Sequence, residues 1–216
     1  MSLRPVVVVG DALLDRDVDG RVERVCPDAP APVVDVVSDR PRPGGAGLAA
    51  VLGAADGRPV MLVTALAADE GGAELAQLLA GAGVEVVDLG QAGSTVEKTR
   101  VRAGGRSLVR IDRGQAGGIG PWTPEAAEAM ASAAAVLVAD YGNGVAAQAD
   151  VRDALTGLPP RLPVVWDPHP RGPAPVPGVR LATPNRQEAA SFAADVTGDG
   201  LTAHTARARA LVDRWR

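Results

Sequence analysis

Apolar residues recur along this chain in two rhythms. Short continuous runs rich in valine, at Pro5–Gly10, Pro59–Thr64, Val84–Val87, Ala135–Ala139, Pro163–Trp166 and Val179–Ala182, have the length of strands buried on both faces of a parallel sheet. Between them lie stretches with helical spacing. In Glu70–Ala82, Leu75, Leu78, Leu79 and Ala82 stand at offsets 0, 3, 4 and 7, which predicts an amphipathic helix closed by Gly83. The small residues from Gly45 to Ala55 predict another, and 124–133, 147–156, 186–193 and 202–215 read as helices as well. This alternation predicts an α/β fold, with an open, mostly parallel sheet and helices on both faces, in a single domain over 1–216.

Two more polar segments, about 16–42 and 94–113, interrupt the rhythm. Val18–Val25 and Pro32–Val37 alternate in strand fashion, and Ser94–Ile111 reads as a hairpin turning at Gly104-Gly105. Both segments follow a strand on the edge where such sheets bind ligands, so together they predict a small β-sheet lid over a site. A lid of this kind excludes water from a reacting phosphate.

Composition narrows the partners. The 216 residues carry 22 Lys+Arg against 26 Asp+Glu, a net charge of −4 without basic blocks, so the electrostatic footprint of a nucleic-acid binder is missing. One cysteine, Cys26, and two well-separated histidines, His169 and His204, supply neither an internal disulfide nor a zinc set. No window reaches the ~20 apolar residues that span a bilayer, and a cytoplasmic location is expected. Aromatic residues make up only 2% of the chain, so the core must be built from Val, Leu and Ala.

Candidate chemistry clusters just after the predicted strands. Asp11 and Asp15 follow the first one, where carboxylates face the ligand crevice and can accept hydrogen bonds from sugar hydroxyls; the plainer alternative for such an Asp is a turn or cap. Pro43-Gly44-Gly45-Ala46-Gly47 opens a helix from a glycine-rich turn with free backbone N–H groups. Gly45-x-Gly47-x-x-Ala50 also fits a dinucleotide fingerprint, but that fingerprint follows a strand directly, and here Ser38–Pro43, stiffened by Pro41 and Pro43, intervenes. Lys98, Arg100 and Arg102 share one face of a strand, and Arg110 returns to it after the turn, giving a basic face that can hold a substrate phosphate or simply protect an edge strand from aggregation. Asp140 and Asp167 repeat the acid-after-strand device. Asn185 and Glu188 lie on one side of a first helical turn, where they can orient magnesium-bound water or phosphate, or else form a capping box.

Taken in order, Gly10-Asp11, Gly44-Gly45, the two lid segments and Asn185-x-x-Glu188 resemble the ribokinase (PfkB) family of carbohydrate kinases from about Val6 to Glu188. Gly10-Asp-Ala-Leu-Leu-Asp-Arg16 with Arg24-Val-Cys-Pro-Asp-Ala-Pro-Ala-Pro-Val33 is similar more narrowly to the D-glycero-β-D-manno-heptose-7-phosphate kinases, the kinase half of the bifunctional heptose enzymes. So are Glu97–Val101, Leu108–Asp112, Asp140-Tyr141 and Leu181–Asn185. The resemblance implies ATP-dependent, magnesium-assisted phosphorylation of the anomeric hydroxyl of a heptose 7-phosphate. It implies substrate-binding roles for Asp11, Asp15, Gly44, Gly45, Lys98, Arg100, Arg110 and Asp140. Asn185 and Glu188 would stand beside the nucleotide, reaching the metal through water or phosphate, and pairing of lids between subunits would give a homodimer.

This chain departs from the family pattern at Leu48, Asn143 and His169, where the family carries Asn, Lys and Lys. The family's Gly-Ala-Gly-Asp turn, whose amides and aspartate serve phosphoryl transfer, is mimicked by Asp195–Gly200, but only seven residues after Glu188. That spacing reads as the loop before the last helix. The C-terminal part of the fold is therefore expected to be missing, with no catalytic residue in this chain and weak binding of ATP and Mg2+. A non-catalytic sugar-phosphate-binding or interaction module of kinase ancestry is the alternative.

Overall fold

The computed structural model describes residues 3–215. Six parallel strands form the central sheet in the order β12-β11-β10-β1-β4-β5: β1 (Val6–Gly10), β4 (Val60–Thr64), β5 (Val84–Asp88), β10 (Ala135–Ala139), β11 (Val164–Asp167) and β12 (Leu181–Ala182). Helices α1 (Ala46–Ala54), α2 (Glu70–Gly81), α3 (Pro124–Ser132), α4 (Ala149–Thr156), α5 (Arg186–Phe192) and α6 (Gly200–Arg214) complete the α/β fold. Side-chain alternation along β1 sets the two layers. Val7 and Val9 point into one core with Ala126, Ala129 and Met130 of α3 and Val151 and Leu155 of α4; Val8 points into the other with Ala46 and Ala50 of α1 and Leu75 and Leu79 of α2. All three valines are at most 1% exposed, and each such burial contributes roughly 2 kcal/mol. Among the described residues no helix is long and apolar enough to cross a membrane.

The second sheet is the lid, ordered β3-β2-β7-β8, with β2 (Ala12–Val25), β3 (Pro32–Gly45), β7 (Glu97–Ala103) and β8 (Arg106–Arg113). Its first hairpin is longer at both ends than the expected 16–42: β2 starts one residue after Asp11, and β3 runs into α1. The expected glycine-rich turn at Gly44-Gly45 is instead the end of β3, paired with Leu13 and Ala12. Ser38–Pro43 is likewise strand, because β3 lies at the lid's edge and a proline there removes no needed ladder bond. Gly45 then turns the chain from strand to helix at φ 59°, a conformation with a steric cost for any residue bearing a Cβ, while the Ala46 amide donates to the Asp11 carbonyl at 3.0 Å.

Smaller differences have local causes. A 3-10 turn at Val145–Ala147 precedes α4, whose first residue is Ala149 under a Gln148 cap. β6 (Gln91–Gly93) and β9 (Ala116–Ile119) form an additional two-stranded antiparallel pair at the foot of the second lid segment.

Candidate active site

Chain order places the site. From β1 the chain moves through α1 to β4 on one side, and from β10 it moves through α4 to β11 on the other, so the strand order reverses between β1 and β10. Ligands of open α/β sheets bind outside the carboxyl ends of the strands at such a point. Asp11 directly follows β1 and Asp140 directly follows β10, both buried at 3% and 4% exposure, and the lid rises from this same edge.

Asp11 braces the crevice floor. Its Oδ2 accepts hydrogen bonds from the amides of Tyr141 at 2.9 Å and Asn143 at 3.1 Å, and its Oδ1 accepts from Val145 at 3.0 Å. The carboxylate thus holds the whole 141–145 loop against the end of β1. Gly44 sits against Asp15, where an added Cβ would lie 2.6 Å from Oδ2. Gly47 packs on Pro43, Leu79 and Ala12, on the closed side of α1, so a pyrophosphate has no approach to it.

The lid is a charge ladder on the face that carries Asp15. Register sets Asp15 beside Arg42 and Lys98, Asp17 beside Arg40 and Arg100, and Asp19 beside Arg102. Arg100 donates to Asp15 Oδ1 at 3.0 Å, Arg42 reaches Asp15 Oδ2 at 3.4 Å and Asp17 at 3.0 Å, and Arg102 lies 3.8 Å from Asp19. Arg110 stands opposite Arg100 but is paired with its strand neighbour Asp112 at 2.8 Å. Lys98 differs: among the described residues it has no ion pair, and its Nζ rests 5.8 Å from the centroid of the Tyr141 ring. On the opposite face Arg16 ties the lid to the body, bridging Glu74 of α2 at 2.7 Å, Asp39 at 3.1 Å and Glu97 at 3.6 Å.

Asp140 accepts the Gly142 amide on Oδ1 at 2.7 Å, whereas its buried Oδ2 has no hydrogen-bond partner among the described residues. Burial pushes its carboxyl up to about 6; the Gly142 amide and, less strongly, the His169 amide oppose the shift, and the charges of Asp11 and Asp167 add to it. Tyr141 is raised by burial and then by Asp167, Asp15 and Glu188. His169 is held below its ordinary range by burial and then by Arg171. The imidazole Nδ1 accepts the Arg171 amide at 3.2 Å, so the neutral ring carries its proton on Nε2.

Asn185 and Glu188 form a complete capping box: Asn185 Oδ1 accepts from the Gln187 and Glu188 amides, and Glu188 Oε2 accepts the Asn185 amide at 2.7 Å. Glu188 keeps Oε1, an oxygen of the kind magnesium takes while retaining most of its water and binding phosphate. Among the described residues no three His, Cys, Asp or Glu side chains are grouped as metal ligands, so these donors fit only such an indirect mode. Asn185 and Arg186 also border a groove of about 840 Å³ beside β12, lined by Val179, Leu181, Leu211 and Val212. The Asp195–Gly200 turn is closed on itself: Asp199 accepts the Gly200 amide as the cap of α6, and Arg207 donates to the carbonyls of Val196 and Gly198.

Asp11, Asp15, Gly44, Gly45, Lys98, Arg100 and Asp140 therefore converge on one rim with Tyr141 and His169. Arg110 shares the lid face but is exposed and locally paired. Sequence reasoning missed Arg42, whose link to Asp15 depends on strand register, and Arg171 and Gly172, which reach the 140–142 loop only because β10 and β11 are neighbours.

No family model matches the chain. It is 51% identical over 214 residues to the bifunctional protein HldE of Streptomyces coelicolor, covering 98% of this chain and 45% of that protein. With HldE of Azorhizobium caulinodans the identity is 36% over 228 residues, covering 99% and 46%. The chain thus spans about half the length of the curated relatives it matches. Among solved structures, Arabidopsis thaliana ribokinase complexed with ribose and ATP superposes with a TM-score of 0.64 at 20% identity, over 99% of this chain and 69% of that one. Escherichia coli phosphofructokinase-2 in complex with potassium gives 0.69 at 13% identity, over 99% and 70%. The fold is that of the ribokinases.

Proposed function

We propose that this chain, which belongs to the ribokinase (PfkB) family of carbohydrate kinases, holds a sugar phosphate in the crevice under its lid. It supplies the substrate side of ATP-dependent transfer to the anomeric hydroxyl of D-glycero-β-D-manno-heptose 7-phosphate. The observation that carries this reading is Lys98, a half-buried lid cation with no acid partner among the described residues, facing the crevice while Arg42, Arg100, Arg102 and Arg110 are each tied to a carboxylate. An unpaired ammonium beside a sugar site suits the 7-phosphate. Asp15 and Asp140 lie where sugar hydroxyls would donate, and Asp11 keeps the floor in shape.

Magnesium, when bound with nucleotide, would offset phosphate charge, and Glu188 and Asn185 are the residues that would reach its water shell. The Asp195–Gly200 turn has its Gly200 amide occupied by Asp199 and its Val196 and Gly198 carbonyls held by Arg207. With ATP and magnesium present, this polypeptide is accordingly expected to bind the sugar phosphate without turning it over.

The test is calorimetric. Lys98→Met is expected to weaken binding of heptose 7-phosphate by about 10- to 100-fold, the loss of one charge-assisted contact, with the unfolding temperature unchanged. Equal affinity of the two proteins would remove Lys98 from the phosphate site.

Beyond the Arg16 ion pairs, the outer part of the lid's other face is apolar. Register places Val22, Val36, Val109 and Ile111 together there, at 41%, 59%, 50% and 37% exposure. As a further part of this reading, a second copy of the chain covers that face in a two-fold dimer, because an apolar patch that matches itself is satisfied by an isologous contact. Sedimentation velocity is expected to show a dimer that Val36→Asp with Val109→Asp converts to monomer. A monomeric wild type would end this assignment.

A further inference from the structure

Among the described residues, Asp140 Oδ2 is a buried carboxylate oxygen of the crevice without a hydrogen-bond partner. Leaving such a group unpaired costs free energy, so its cover needs explaining. That cover is the segment after β11, from Pro168 through His169, Pro170 and Arg171 to Gly172. Gly172 lies so close that a Cβ built on it would overlap Oδ2. Its φ is outside the left-handed region, so glycine is needed here for proximity and not for backbone conformation.

Pro168 is buried and anchors the segment at its start, whereas the seat of 169–172 is slight. Gly172 donates to the His169 carbonyl at 2.8 Å and Arg171 donates its amide to His169 Nδ1, both within the segment itself. Toward the 140–142 loop, Arg171 reaches the Tyr141 carbonyl at 3.3 Å, the His169 ring rests against Gly142, and the His169 amide lies near enough to Asp140 to favour its charged form. Arg171 and Pro170 are exposed. An element with few outward bonds, lying over an oxygen that lacks a donor, is placed to exchange with a ligand that supplies one.

We propose that Pro168–Gly172 is a strap over Asp140, and that a polyhydroxyl ligand binds by displacing Gly172 and donating a hydroxyl hydrogen bond to Asp140 Oδ2. Burial gives the ligand-free acid an affinity for protons, which a hydroxyl donor would satisfy in a different way. The proposal rests on reading the crevice as a sugar-phosphate site and adds to it the acceptor atom and the moving part.

Hydrogen exchange of the His169, Arg171 and Gly172 amides tests it, together with calorimetry. Without ligand, Gly172→Ala is expected to raise exchange across the strap about tenfold by unseating it. Adding Asp140→Ala to that variant is expected to restore protection, since the oxygen that the added methyl group would strike is gone. With saturating D-glycero-β-D-manno-heptose 7-phosphate, the wild-type strap is expected to exchange faster while 141–145 is protected, and Gly172→Ala to bind at least as tightly as wild type. Unchanged exchange in Gly172→Ala, or a strap protected by a sugar that calorimetry shows to be bound, would overturn the strap and leave the sugar-phosphate reading standing. A wild type that binds no sugar phosphate would overturn that reading and, with it, the displacement.

Discussion

Asp11→Ala is expected to lower the thermal unfolding midpoint by roughly 10 °C and to eliminate sugar-phosphate binding at the same time. The replacement leaves three amides, of Tyr141, Asn143 and Val145, without their acceptor in a region where Asp11 itself is 3% exposed. At roughly 1–3 kcal/mol for each unsatisfied buried donor, and with some water entering, about 4 kcal/mol of stability is lost. In a chain of this size that converts to the stated shift. The loss of binding follows by a different route: the 141–145 loop carries Tyr141, on whose ring Lys98 rests, and it also carries Gly142, the amide that orients Asp140. Asp11→Asn keeps an acceptor oxygen that can take the Tyr141 and Asn143 amides but turns its N–H donors toward the Val145 amide, so it is expected to destabilise by a smaller amount. Differential scanning calorimetry of the two variants settles the point, and an Asp11→Ala midpoint within about 2 °C of wild type would show that the loop does not depend on Asp11. The contrast with Lys98→Met separates the two roles, because a brace affects stability and affinity together whereas a phosphate contact affects affinity alone.

The layers of the fold were legible where side-chain periodicity is strong. Val7, Val8 and Val9 announce a strand buried on two faces, and Leu75 and Leu79 announce the face of α2, because burial on a regular element imposes a period. The acids of the crevice were legible too, since an aspartate directly after a buried strand has few places to go. What local sequence did not carry was register and neighbourhood. Pro41 and Pro43 argue against a strand, yet β3 contains both, because its place at the lid's edge is decided by β2 and β7 and not by its own residues. β6 and β9 contain Gln91-Ala-Gly93 and Ala116-Gly-Gly-Ile119, too short and glycine-rich to show a period. Asn185 and Glu188 show the limit most clearly: the capping box and a phosphate-side role use the same two residues at the same spacing, and only the box is written in their hydrogen bonds. Gly172 had no signal at all, for its importance is an encounter with Asp140 that adjacent parallel strands bring about.

Asp140→Asn is expected to stabilise the protein at neutral pH and to lose that advantage on acidification. The carboxyl is raised from the ordinary aspartate range to about 6, chiefly by burial. The folded state therefore binds this proton more tightly than the unfolded state does, and stability from this group is fully present below about pH 4 and lost as pH rises through about 6. Allowing for screening at the crevice mouth, the loss is about 2 kcal/mol, or roughly 5 °C in the unfolding midpoint. Asparagine carries no such charge, so the difference between variant and wild type is expected to grow from near zero at pH 4 to that value at pH 7.5. Asp69, Asp195 and Asp199 are shifted downward and act in the opposite direction, but equally in both proteins, and the subtraction removes them. The groups facing Asp140 are Asp11 from β1, Asp167 from β11, Tyr141 and Gly142 on its own loop, and His169 and Arg171 on the strap. His169 is held below its ordinary range by burial and Arg171, so the comparison is made in a His169→Gln background, which removes the imidazole's titration from both proteins. A midpoint difference that stays flat from pH 4 to 7.5 would mean that the carboxylate finds a donor in solution, and the unpaired Oδ2 would then be no part of how this crevice receives a ligand.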